Sequence, residues 1–205
     1  MKQIDVIALF KASYGLYVLS AKDGEQDVAC IINTFLQITS NSPVRCLISV
    51  NKQNYTHEII SKTGKFNLSV LSMETPFELF KRFGYQSGRD VDKFKDFNSF
   101  SRSENGLTYL TDFANAFLSF DVLNTVDFDT HTLFTATLTE SKILNQTDSM
   151  TYDYYHQNVK PKPQTDKKTG YRCNICGYVY ESETLPADFI CPLCKHGAAD
   201  FVKID

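Results

Sequence analysis

Tryptophan is absent from the 205 residues, glycine and proline are sparse at 9 and 6, and no long apolar run occurs. With so little glycine and proline, the chain is neither collagen-like nor low-complexity. Residues 6–10, between Asp5 and Lys11, are the apolar run nearest the start. They are too few for a secretory signal, and nothing else approaches a membrane span. Neither sign of charge dominates: 21 Lys and Arg stand against 24 Asp and Glu, a net −3 with an isoelectric point near 5.8. That leaves no global basic field for nucleic acid or an anionic membrane. The expectation is a soluble, cytoplasmic protein with no nucleic-acid and no membrane partner. Neither G-x-G-x-x-G nor G-x-x-x-x-G-K-[ST] is present, so a Rossmann or Walker site has no support.

What is present is core-forming material: 42% hydrophobic residues, with 16 Phe and 11 Tyr. Six stretches rich in β-branched and aromatic residues read as strands, at 14–21, 27–34, 44–50, 65–71, 116–128 and 131–144. Residues 54–64 read as a helix stopped by Gly64. A second helix begins at Thr75, with Thr75 as N-cap, Pro76 first, Glu78 as capping-box partner and Gly84 as the stop. Strands outnumber helices and do not alternate with them one by one. That predicts a mainly β (α+β) fold with an antiparallel sheet or barrel. Phe66, Phe77, Phe80 and Phe83 are expected in the core.

Composition breaks near residue 159. The segment VKPKPQTDKKT has four Lys, two Pro and no aromatic residue, so it cannot bury a face. The expected division is a domain over 1–158, a linker over 159–169 and a small module over 170–205. Four of the six cysteines lie in that module, spaced Cys173-x2-Cys176-x14-Cys191-x2-Cys194. Two such pairs supply a closed tetrahedral site of four thiolates, whose geometry admits zinc or iron. Cys30 and Cys46 sit in VACIIN and VRCLISV and are expected as buried free thiols.

The pieces Tyr171-x-Cys173-x-x-Cys176-Gly177-Tyr178-x-Tyr180, Pro186, Ile190-Cys191-Pro192-x-Cys194 and Phe201 resemble the rubredoxin family, in the short form that ends rubrerythrin-like proteins. The resemblance implies one iron held by the four cysteines, with structural zinc as the alternative. The first part resembles the flavin reductase-like split-barrel family through SYGLYVLSAKDG, CIINTFLQITSNSP, SVNKQNYTHEIISKTGKFNLSVL, FGYQSGRDVDKF and TYDYYH. The whole chain is similar to the high-molecular-weight rubredoxins of anaerobes. This implies an FMN-binding split β-barrel, homodimeric, with a small rubredoxin-like metal domain of four cysteines at its C-terminal end.

By that resemblance, Asn33 and Thr34 meet the flavin, and Ser49, Val50 and Asn51 line its ring system. Thr56 and His57 open a helix whose amides suit an anion. Ser87, Arg89 and Lys93 form a phosphate clamp, and Tyr155 and His156 return toward the flavin or the nicotinamide. Lys160-Pro161-Lys162-Pro163 departs from the family's usual continuation. Plainer readings stand beside these: Asn33 and Thr34 as turn residues, Arg89 as a surface ion pair, His57 and His156 as structural histidines.

The implied function is electron relay from NAD(P)H or a reduced carrier through FMN and the iron to a partner such as a flavodiiron reductase of oxygen or nitric oxide. Two other readings remain open. One is a ligand-sensing split barrel with a zinc ribbon; the other is a plain flavin reductase releasing reduced flavin.

Overall fold

A computed structural model describes Ala8 and residues 11–161, 169–174, 177–192 and 197–204. The chain divides into two compact units, Met1–Val159 and Lys160–Asp205.

The first unit begins with strands β1 (Tyr17–Asp23), β2 (Gln26–Ile32), β3 (Phe35–Gln37) and β4 (Arg45–Asn51), followed by helix α1 (Tyr55–Thr63). Then come β5 (Lys65–Leu71), α2 (Phe77–Gly84), β6 (Phe100–Arg102), β7 (Thr108–Leu110), β8 (Ala114–Asp127) and β9 (His131–Ile143). A short α3 (Tyr152–Tyr154) runs into a π-helical turn, Tyr155–Val159. Strand chemistry is visible in β4, where Cys46, Ile48 and Val50 point inward and alternate with the more exposed Leu47, Ser49 and Asn51. Seven strands form one antiparallel sheet in the order β2-β1-β5-β8-β9-β4-β3. Its two edge strands, β2 and β3, are one run of chain interrupted only by Asn33 and Thr34. The sheet therefore closes on itself as a barrel. Register shifts along β8 against β9 let these long strands coil around it.

Inside the barrel, Leu19, Ile48, Val50, Phe66, Phe120 and Phe134 form the core, and α1 adds Ile59 and Ile60. Phe66 stacks on Phe120 with centroids 4.9 Å apart, and Phe35 lies 6.0 Å from Phe120 on another side. Cys30 and Cys46 are buried thiols in this cluster, as the sequence implies. A second core covers the outer face of β1 and β2. There Val18 and Ala29 meet Leu79, Phe80 and Phe83 of α2, together with Phe94 and Tyr155. Of the four phenylalanines expected in the core, Phe77 is the one only partly buried.

Helix ends follow local chemistry in one case and not in the other. α1 stops where Gly64 turns left-handed (φ 70°) and its N–H donates to Ile60 O at 2.9 Å. At α2 the expected cap is corrected: Pro76 occupies the N-cap position, and Tyr85 rather than Gly84 caps the far end. The Thr75 hydroxyl instead donates to Ser72 O at 2.7 Å and Phe113 O at 2.9 Å, carbonyls that the turn after β5 leaves within its reach. The short strands β3, β6 and β7 were not among the six expected.

The second unit is a small sheet of β10 (Gly170–Cys173), β11 (Val179–Tyr180) and β12 (Phe201–Ile204), ordered β11-β10-β12. Gly170 has φ 144°, and a Cβ there would lie 2.3 Å from Tyr180 O, so only glycine admits this pairing.

Truncating the barrel core at Phe120→Ala is expected to cost about 3–5 kcal/mol. Urea unfolding followed by circular dichroism measures it. A loss below about 1 kcal/mol would contradict the ring packing described here.

Candidate functional site

The barrel seam gathers the polar residues of the first unit. β3 pairs with β4 through Phe35 opposite Ile48. One residue further along each strand stand Thr34 and Ser49, and one further again Asn33 and Val50. At this bend the β2–β3 run leaves its partner β1 for β4. Asn33, Thr34, Ser49 and Asn51 are half-buried there, and Thr34 Oγ1 donates to Asn33 Oδ1 at 3.1 Å. Asn51 Oδ1 accepts from Gln53 N at 2.8 Å, shaping the turn that leads into α1. Asn54, the N-cap of α1, makes no side-chain cap bond. Asn54 O accepts from His57 N at 3.0 Å, but no N-cap side chain serves the other first-turn amides, which present donors and the positive end of the helix dipole at this rim.

A loop from α2 meets the same rim. Gly88 packs so closely that an added Cβ would sit 3.3 Å from Tyr55 Cδ1. Arg89 lies over the Tyr55 ring, 4.8 Å from its centroid, and donates to Glu58 Oε2 at 2.9 Å. Ser87 Oγ accepts from Arg89 N at 3.2 Å. Tyr55 itself is held by a 2.8 Å hydrogen bond to Asp23 Oδ2. Guanidinium, hydroxyl and helix N-terminus converge in a manner that fits an anionic group such as a phosphate. Glu58 is the competing anion, and because both partners are substantially exposed the pair is cheap to exchange.

Other expected site residues fall elsewhere. The Thr56 side chain is buried beside the Cys30 thiol inside the barrel, so its hydroxyl does not face an anion at the rim. His57 Nε2 lies 2.8 Å from Thr132 Oγ1, whose hydroxyl donates to Asp127 Oδ1 at 2.6 Å. Thr132 therefore accepts from His57, and the imidazole is tied to β9 rather than presented to a ligand. Val50 is buried, which leaves only its backbone for a ring edge. Lys93 is corrected most sharply. It is 4% exposed, and its ammonium donates at 2.8 Å to both Ala29 O and Phe83 O, which removes it from direct phosphate contact. His156, in the π-helical turn, packs edge-on to Tyr152 and Tyr155 at 4.4 and 5.3 Å, beside the outer core.

In the second unit, Cys173 ends β10 and Cys191 follows Ile190; both are buried, at 1% and 0% exposure. A tight turn carries the chain away from Cys173. Gly177 N donates to Cys173 O at 2.9 Å, Cys173 N to Tyr178 O at 2.8 Å, and Gly177 has φ 79°. Tyr171, Tyr178, Tyr180, Leu185, Phe189 and Phe201 pack around the two cysteines. Cys176 and Cys194 lie outside the described residues. Two buried soft donors in an aromatic shell fit a thiolate-bound metal.

Residues 9–162 match the flavin reductase like domain, and residues 171–202 match the rubrerythrin, rubredoxin-like domain. The chain therefore belongs to the flavin reductase-like family and carries a rubredoxin-like domain: an oxidoreductase that transfers electrons by flavin and cysteine-bound iron. Over 98% of its length it is 38% identical to the high molecular weight rubredoxin of Moorella thermoacetica, all of which is covered. It is 35% identical to a ferric-chelate reductase (NAD(P)H) of Archaeoglobus fulgidus over 79% of this chain and 95% of that one. Among solved structures, an NADH:FAD oxidoreductase of Streptomyces globisporus shares the fold with a TM-score of 0.63 at 20% identity, covering 74% of this chain and 92% of that one. Among the described residues no helix is long and apolar enough to cross a membrane.

Burial holds His57 and His131 below the ordinary histidine value of 6.5, although Asp127 pulls His57 back up. A lowered folded-state pKa contributes stability above the unfolded value that is lost as pH falls. Melting temperature should therefore decline as pH drops from about 6.5 toward 5, and His57→Gln should flatten that slope. An unchanged slope in the variant would contradict the assignment.

Proposed function

We propose that the chain relays electrons from NAD(P)H, or another reduced carrier, by way of FMN in the first unit and iron in the second to a partner reductase. By resemblance, that partner is of the flavodiiron type. One observation carries the reading: a single chain pairs a barrel whose polar seam ends at a helix N-terminus without a side-chain cap with a separate module whose buried cysteines lie in an aromatic shell. When bound, flavin accepts a hydride and gives electrons up singly, and a tetrathiolate iron exchanges one electron without an open coordination position.

The protein's own residues bind and shield. Asn33 and Thr34, with the Ser49, Val50 and Asn51 backbone, offer donors and acceptors to the flavin ring and ribityl chain. Arg89, Ser87 and the first amides of α1 take the phosphate, with Glu58 displaced from Arg89. Cys173, Cys176, Cys191 and Cys194 hold the iron, while Tyr171, Tyr180, Phe189 and Phe201 exclude water from it. The proposed domain limits are 1–158, 159–169 and 170–205. A second copy is the proposed cover for Leu36, Leu123, Val126 and Phe128, apolar side chains left exposed on β3 and around the β8–β9 hairpin.

Two substitutions test the division of labour. Cys191→Ser should abolish electron delivery to an acceptor protein while NADH still bleaches the flavin; loss of both would overturn the relay order. Arg89→Gln should weaken FMN by about tenfold yet leave riboflavin, which lacks the phosphate, nearly unchanged. Equal weakening of both flavins would remove Arg89 from the phosphate site.

A further inference from the structure

Lysine is among the residues least often buried. Lys93 is nevertheless almost inaccessible, and both of its bonded partners are main-chain carbonyls. Ala29 belongs to β2, which among the described residues pairs with β1 alone, so its carbonyl lies on the open side of that strand. Phe83 is in the last turn of α2, where the helix carbonyls lack intrahelical donors and the dipole favours a cation. The ammonium therefore joins the sheet edge to the helix end.

The chain around it is tied together by its own bonds. Ser87 O accepts from Asp90 N and Val91 N, both at 3.2 Å. Asp92 Oδ1 accepts from Phe94 N at 2.9 Å and Lys95 N at 3.2 Å. From the other side, Arg82 donates to Lys93 O at 3.1 Å and Lys95 O at 2.9 Å. These bonds shape residues 87–95 into two consecutive turns, with Lys93 in the second and Ser87 and Arg89 in the first. Lys93 and the neighbouring Phe94 of the outer core anchor this segment from within, and Arg82 of α2 holds it from the surface. Its other end carries Gly88 against Tyr55 and Arg89 against Glu58.

The geometry points to Lys93 as the positioning residue of the phosphate site: its buried ammonium, bound to Ala29 O and Phe83 O, fixes the loop that sets Ser87 and Arg89 against the first turn of α1. This rests on the flavin-phosphate reading above. An apolar residue fills the same space but leaves both carbonyls without their donor and the loop held only by Phe94 and the surface bonds from Arg82. The guanidinium then samples orientations away from the α1 amides. The ring-binding rim at Asn33, Thr34 and Ser49 belongs to the barrel itself and stays in place. Lys93 thus governs the phosphate-dependent part of flavin affinity, a property that general loosening of the barrel does not single out.

The test compares FMN and riboflavin binding to the full-length wild-type and Lys93→Met chains by fluorescence titration. The expected result is an FMN affinity lower by about tenfold with riboflavin affinity held within about twofold. FMN and riboflavin weakening together, or neither changing, would overturn the proposal. Should Lys93→Met fail to fold, Arg82→Gln loosens the same loop from the surface. It should produce the same FMN-selective loss at about threefold, and an equal or absent effect on the two flavins counts against the proposal. A wild-type chain that binds FMN no better than riboflavin would instead overturn the phosphate reading itself, whatever Lys93 does.

Discussion

A seven-stranded antiparallel sheet has two edges, and in this molecule one stretch of chain supplies both. β2 hydrogen-bonds to β1 at one edge, and β3, continuing the same run, hydrogen-bonds to β4 at the other. Closure concentrates the cost of changing partners into two residues, Asn33 and Thr34. They are polar and half-buried, and the bend frees backbone donors and acceptors there. The polar rim therefore exists because the barrel has to close somewhere. β4 then delivers Ser49 and Asn51 to the same place, and α1 follows within a few residues with its N-terminal end turned toward the seam.

Two cores serve two purposes around that closure. The inner one is made of large apolar side chains and rigidifies the barrel. The outer one holds α2 and the loops after it on the face of β1 and β2, and it mixes phenylalanines with a buried ammonium. The loop that meets the rim at Tyr55 is thus supported from the opposite side of the sheet. The small second unit works differently. A module of so few residues gains little from apolar burial alone, and a metal bound by four cysteines is the usual staple for such a domain. Its aromatic side chains are arranged around the cysteines and not around a separate centre.

Much of this was legible in the chain. The long strands announce themselves by β-branched and aromatic runs, and Gly64 ends α1 through its own backbone freedom. The strand end at Asn33-Thr34 is a local signal too, and the structure puts the β2–β3 bend there. What sequence could not give was the direction of individual side chains. Thr56 and His57 both lie in the first turn of α1, yet helical geometry turns one toward Cys30 and the other toward Thr132. Lys93 sits in a charged stretch beside Asp92, and only the approach of β2 and α2 draws its ammonium inside. Thr75 carries every mark of an N-cap but is claimed by Ser72 O and Phe113 O, and Phe113 is far away in sequence. The β6–β7 hairpin has strands of three residues, too short for a periodic pattern to register.

The central claim is that both cofactors reside on one chain and communicate. A visible spectrum of the anaerobically purified protein before and after NADH, with metal analysis on the same sample, tests it most directly. The account predicts iron, with flavin and ferric-tetrathiolate bands that bleach together. Zinc in place of iron, with a flavin that is absent or does not respond to NADH, would contradict it.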